Sequence, residues 1–137
     1  MSPARQAAFQ ILSLVERGGY ATDLLASRTR RMDARDAGLA GQIVYGCLRR
    51  RAQLDFLIAS LAGRPAAALD VEVLLALRMG LFQLLYLDRI PPHAAVSESV
   101  ELVRRARKAS AAGFVNAVLR KAKRQPDAWP DEATELS

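Results

Sequence analysis

Leu77-Arg78-Met79-Gly80-Leu81-Phe82-Gln83-Leu84-Leu85-Tyr86 decides the fold of this chain. The stretch is apolar on nearly every side of a helical wheel, the pattern of a helix enclosed by other helices. Glycine inside a helix costs about 1 kcal/mol relative to alanine, so Gly80 predicts a close helix crossing. Arg78 and Gln83 interrupt the apolar surface and are expected to be buried with polar partners. The longer apolar run, Val71 to Leu87, contains Glu72, Arg78 and Gln83, which marks a core helix and not a membrane span. Asp70 is placed to cap it.

Working outward, apolar residues recur at three and four, and no segment alternates with period two. Ser2-Pro3 supplies a capping hydroxyl and a proline at the first helical position; Ala7, Ala8, Ile11, Leu12 and Val15 then share one face, and Gly18-Gly19 ends the helix. Thr22 can cap a short helix carrying Leu24 and Leu25. Asp33 can cap another, with Leu39, Ile43, Val44, Cys47 and Leu48 inward and Asp36 in its first turn. A further helix carries Leu54, Leu57, Ile58 and Leu61, up to Gly63 and Pro65. Beyond the central helix, Pro91-Pro92 introduces a sixth helix and Gly113 opens a seventh. The expected architecture is all-α, a compact bundle of about seven helices around one core. Phe9, Phe56, Phe82, Tyr86 and Phe114 fit core positions, leaving Tyr20, Tyr45 and Trp129 outside that pattern.

The 137 residues suffice for one domain, and a 51% hydrophobic content argues against disorder. Net charge is +6 and the pI about 10.2, a balance that favours an anionic partner, nucleic acid before a lipid surface. Residues 127–137 hold four acidic residues and no basic one, leaving +10 on residues 1–126, the total of +6 less −4. The division is therefore a basic helical domain over residues 1–125 and an acidic linker or cut end over 126–137 that contains Pro126, Trp129 and Pro130. Trp129 is expected to pack on something. A single cysteine, Cys47, excludes a disulfide framework and a cysteine-based zinc site within the chain. It sits at core spacing. No signal-peptide pattern opens the chain, so the expected location is cytoplasmic.

Several strings, in order, resemble the NusB-like helical fold, and more narrowly the N-terminal RNA-binding domain of the 16S rRNA cytosine-C5 methyltransferase B family. They are Tyr45-Gly46-Cys47-Leu48-Arg49, Gln53-Leu54-Asp55, Gly80-Leu81-Phe82-Gln83-Leu84-Leu85-Tyr86, Arg89-Ile90-Pro91-Pro92-His93-Ala94-Ala95, Val100-Glu101 and Phe114-Val115-Asn116-Ala117-Val118-Leu119-Arg120. NusB antitermination factors share a Phe-Val-Asn-x-Val-Leu string. Arg89 to Ala94 and the final Leu119-Arg120 are more similar to the methyltransferase branch. The resemblance implies an accessory domain that docks on 16S rRNA and works with a methyltransferase domain in cis. S-adenosylmethionine and the catalytic cysteines of such an enzyme would belong to a domain absent from this sequence, so no catalytic residue, cofactor or metal is assigned to this chain. A stand-alone antitermination factor and a helical protein-interaction module are the alternatives.

Candidate RNA contacts are Arg49 and Arg50 at the end of the third helix; Arg104, Arg105 and Lys108 around the sixth; and Arg120, Lys121, Lys123 and Arg124 on the seventh. Arg104, Arg107 and Lys108 are expected to share one helix face. Arg5 joins the candidates through the resemblance, which implies an arginine-bearing start of the first helix. Cations in a last helical turn also stabilise the helix dipole by about 0.3–1 kcal/mol each without any ligand. With aromatics at 6%, phosphate and shape contacts are expected to outweigh base reading. His93 is expected to cap or pack, Asn116 to bond across to a neighbouring loop, and Glu98 and Glu101 to pair with bases on their own helix.

Overall fold

A computed structural model describes residues 1–124 of the chain. Seven α-helices run in the order α1 (Pro3–Glu16), α2 (Ala21–Arg28), α3 (Ala34–Arg49), α4 (Arg51–Ala62), α5 (Val71–Tyr86), α6 (Pro92–Arg105) and α7 (Ala112–Arg124), with single 3-10 turns at Ala66–Ala68 and Ala109–Ala111. The architecture is all-α. Trp129 and the boundary at 126 lie outside the described residues.

Helix α5 is the axis. Every residue from Val73 to Gln83 is buried, because α1, α3, α4, α6 and α7 all pack against it. Two glycines set how near its neighbours come. A Cβ on Gly80 would lie 2.7 Å from a Leu119 methyl and 2.8 Å from Ser99 Oγ, so α6 and α7 both cross there. A Cβ on Gly46 would lie 2.0 Å from Phe82 Cζ, which seats the α5 phenyl ring directly on the α3 backbone.

The polar residues of α5 are tied to other helices. Arg78 donates from Nε and Nη2 to the two carboxylate oxygens of Asp55 on α4 at 2.7 and 2.9 Å, and its Nη1 lies 3.4 Å from Glu16 of α1. The forked pair leaves no guanidinium edge unsatisfied toward α4, which is what a buried cation needs. Gln83 donates to the Met79 carbonyl at 2.9 Å and accepts from Arg5 Nε at 2.6 Å.

Helix ends follow the local signals, with exceptions. Ser2 accepts from Arg5 N, and Asp33 accepts from Asp36 N at 2.8 Å. Helix α2 starts at Ala21, one residue before the expected cap, and the Thr22 hydroxyl instead meets the Tyr45 hydroxyl at 3.0 Å. Asp70 makes no side-chain cap bond to α5; its carboxylate takes Lys108 Nζ at 3.3 Å. Phe56 is 55% exposed. At 3.6 residues per turn it points about 100° from the inward Leu57 and about 160° from the inward Leu54 and Ile58, so the outer face of α4 carries it.

The ends of α1 and α6 share one geometry. In α1, Gly18 N donates to Val15 O and Gly19 N to Leu14 O, with Gly18 at φ +99°. In α6, Arg107 N donates to Arg104 O and Lys108 N to Val103 O, with Arg107 at φ +64°. Both are Schellman ends, but α6 puts an arginine where the backbone favours glycine. Arg107 and Lys108 therefore leave the helix and do not share a face with Arg104, contrary to the expectation from spacing. A left-handed non-glycine residue costs about 1–2 kcal/mol; Arg107→Gly should raise unfolding free energy by about 1 kcal/mol in a urea titration. Gly46→Ala should lower it by about 1–3 kcal/mol through overpacking against Phe82, despite the better helix propensity of alanine.

Candidate functional site

Ten basic residues were expected to contact RNA, and their surroundings differ. Arg5 is 7% exposed. Its Nη1 lies 2.8 Å from Glu98 of α6, whose other oxygen accepts from Ser2 N at 2.8 Å. Arg5 thus fastens the start of α1 to α5 and α6 and turns inward, away from any surface ligand. Glu98 reaches α1 and not a base on α6, whereas Glu101 does pair along its helix, with Arg105 Nε at 3.1 Å. Lys108 is half-buried and paired with Asp70.

The remaining candidates are more open. Arg104, Arg49, Arg120, Lys121 and Lys123 are exposed and pair with no carboxylate among the described residues. Arg120 Nε donates to Asn116 Oδ1 at 3.0 Å, so Asn116 bonds within its own helix and not across to a loop. Lys121 Nζ lies 3.4 Å from the Leu61 carbonyl at the end of α4, where the helix dipole favours a cation. The backbone of Arg124 ends α7. Val115, Val118, Leu119 and Ala122 face the core, and this inward stripe is what turns Arg120, Lys121 and Lys123 outward. Helices α6 and α7 pack together, which brings Arg104 and the α7 cations onto neighbouring elements.

Arg49, Arg50 and Arg51 form a second basic group. They straddle a joint rather than ending one helix: Arg49 closes α3, Arg50 is the link and Arg51 opens α4. Arg51 Nη2 lies 3.4 Å from Glu16. The Arg50 guanidinium lies 3.9 Å from the centroid of the Tyr86 ring, a cation–π stack. Tyr86 in turn donates its hydroxyl to Gln53 Oε1 and stacks on Phe82 at 5.5 Å.

Between the outer face of α3 and the end of α5 lies an open cleft of about 450 Å3, lined by Gly41, Gln42, Tyr45, Arg49, Arg50 and Tyr86, among others. Two further grooves continue it along α3, where Leu39, Arg35, Arg89 and Ile90 line them. Tyr45, Arg35 and Arg89 were not among the expected contacts. The signal that finds Tyr45 is the 38-41-45-49 register of α3, which places Gly38, Gly41, Tyr45 and Arg49 on one side while Ile43, Val44 and Cys47 face the core.

No group of His, Cys, Asp and Glu among the described residues could hold a metal ion. His93 is exposed in the first turn of α6, which has no side-chain cap bond. Cys47 is 2% exposed, and burial pushes its thiol up to about 12 against the opposing pull of Arg78. A thiol held neutral in this way is unfit as a nucleophile. No helix among the described residues is long and apolar enough to cross a membrane.

The NusB family model matches residues 2–124. The chain belongs to the NusB family. Its relatives include the ribosomal RNA small subunit methyltransferase B of Pseudomonas putida, 36% identical over 125 residues. That match covers 91% of this chain and 28% of the relative. The same-named protein of Escherichia coli O1:K1 is 37% identical over 121 residues, covering 88% and 28%. That of Klebsiella pneumoniae is 36% identical over 129 residues, covering 94% and 30%. The chain therefore spans less than a third of the length of these relatives. Among solved structures, T. maritima NusB superposes with a TM-score of 0.80 at 21% identity, covering 89% of each chain. A chain in the crystal structure of a plectonemic RNA supercoil superposes with a TM-score of 0.82 at 23% identity, covering 92% of this chain and 95% of that one. At these identities the two structures establish the NusB fold.

The buried thiol gives a pH prediction. Its folded pKa lies above its ordinary value near 9, so the unfolded chain loses the proton first. The stability it contributes is complete below pH 9 and falls between 9 and about 12, by about 1.4 kcal/mol per pH unit. A Cys47→Ala variant should lose this alkaline slope in urea titrations, and the native protein at pH 8 should react with a disulfide reagent only as fast as it unfolds.

Proposed function

We propose that this chain is an RNA-binding accessory domain that docks on ribosomal RNA, 16S rRNA in particular, through the cations of α3, α6 and α7. The methyl transfer itself would be carried out by an S-adenosylmethionine-dependent cytosine-C5 methyltransferase domain acting in cis, in the cytoplasm. In this reading the chain alone binds no cofactor and transfers no methyl group. The observation that carries it is the extent of the match: relatives named for small-subunit rRNA methylation align over 88–94% of this chain but over only 28–30% of themselves. The part shared with them is thus the NusB-family part. The charge fits the role, since +10 is spread over residues 1–126 and five of the expected cations stand exposed without a carboxylate partner among the described residues.

Docking on phosphates by charge has a salt signature. Five contacts would give a slope of log K against log salt of about −3.5, at roughly 0.7 per phosphate of single-stranded RNA. Filter binding with an rRNA fragment should show it, and Arg104→Ala combined with Lys123→Ala should make the slope shallower by about 1.4. A salt-independent affinity would refute docking by charge. Incubation of the chain with labelled S-adenosylmethionine and rRNA should transfer no label.

A further inference from the structure

We infer that the cleft on the outer face of α3 is a stacking site for an unpaired RNA base, with Tyr45 as the platform and Arg49 on the adjoining phosphate. This rests on the RNA-binding reading above and adds to it a preference for single-stranded over duplex RNA.

Tyr45 is 42% exposed on a helix whose other large apolar side chains turn inward. Its hydroxyl meets the Thr22 hydroxyl of α2 at 3.0 Å. Along the same side of α3 the preceding position is Gly41, whose missing Cβ would meet no atom within 4 Å. The space beside the ring is therefore open. The cleft holds about 450 Å3, inside the range of roughly 300–1,000 Å3 typical of small-ligand pockets. Among the described residues its lining includes Arg49, which is exposed, and no carboxylate, which favours an anion beside the ring. The Arg50 guanidinium lies 3.9 Å from the Tyr86 ring centroid at the same cleft. Arg35 and Arg89 continue positive charge along the grooves beside it, opposed there by Asp88.

Aromatic faces and guanidinium planes together are the surfaces on which unpaired bases stack, irrespective of sequence. A duplex keeps its base faces covered by their neighbours and cannot offer one to a recessed ring. An acidic peptide would satisfy the arginines but would leave the tyrosine face without a planar partner.

The test uses the whole chain, a short single-stranded RNA carrying one fluorescent aminopurine, and a duplex RNA. Wild type should bind the single strand with quenching of the aminopurine. Tyr45→Leu should weaken single-strand binding about tenfold and abolish the quenching, while Tyr45→Phe, which keeps the ring and loses only the Thr22 bond, should stay within about twofold. Duplex affinity should be the same in all three. Arg49→Ala should make the single-strand salt slope shallower by about 0.7. If wild type binds neither RNA, the RNA-binding reading itself fails. If wild type binds but Tyr45→Leu matches it, or no quenching occurs, only the stacking site is overturned and docking by charge stands. Equal losses on single strand and duplex in Tyr45→Leu, or a tenfold loss in Tyr45→Phe, likewise overturn stacking.

Discussion

Helix α5 must be covered on every side, and the rest of the structure is the means of covering it. A helix with eleven consecutive buried residues, Val73 to Gln83, is stable in water only where neighbours remove all of its apolar surface. Five helices do so here. Their distances from α5 are set where side chains are missing, at Gly80 on α5 itself and at Gly46 on α3. Both positions give up helix propensity for tight packing, and dense packing is what makes a core resist deformation.

Burying α5 also buries its polar side chains, and the chain satisfies them with charged side chains from other helices. Arg78 binds Asp55 and Glu16, and Arg5 binds Gln83 and Glu98. Removing one member of such a pair is costly because the other is left charged in a poor solvent. The pairs therefore fix which helices stand beside α5. They also divide the basic residues into two populations. Those near the axis are internal fasteners. At the rim, Arg49, Arg104, Arg120, Lys121 and Lys123 are exposed and pair with no carboxylate among the described residues.

On the proposed reading, the two exposed groups serve different tasks on one RNA. The cations of α6 and α7 stand on open helix surface, where contacts with phosphate oxygens position a nucleic acid without reading it. The α3 group lies beside a cleft with an exposed aromatic ring, Tyr45, the geometry on which the proposed base stacking rests.

Much of this was legible from residue order alone. The apolar run around Gly80, the capping signals at Ser2 and Asp33, and the outward turn of Arg120, Lys121 and Lys123 all follow from local periodicity, because helix propensity and face assignment depend on near neighbours in the chain. What was not legible depended on partners distant in sequence. Arg5 resembles a surface arginine until Glu98 and Gln83, some ninety and eighty residues away, are folded against it. The end of α6 carried no glycine to announce it, since Arg107 adopts the left-handed conformation itself. Phe56 and Tyr45 are both aromatics on amphipathic helices, and only the placement of the neighbouring helices leaves their rings uncovered. The sequence by itself determined about seven helices, one predominantly apolar axis and an excess of positive charge, because these are sums over local composition and spacing. The tertiary structure alone decided which cations face water and where a cleft opens, because exposure is a property of surfaces brought together and not of any residue taken singly.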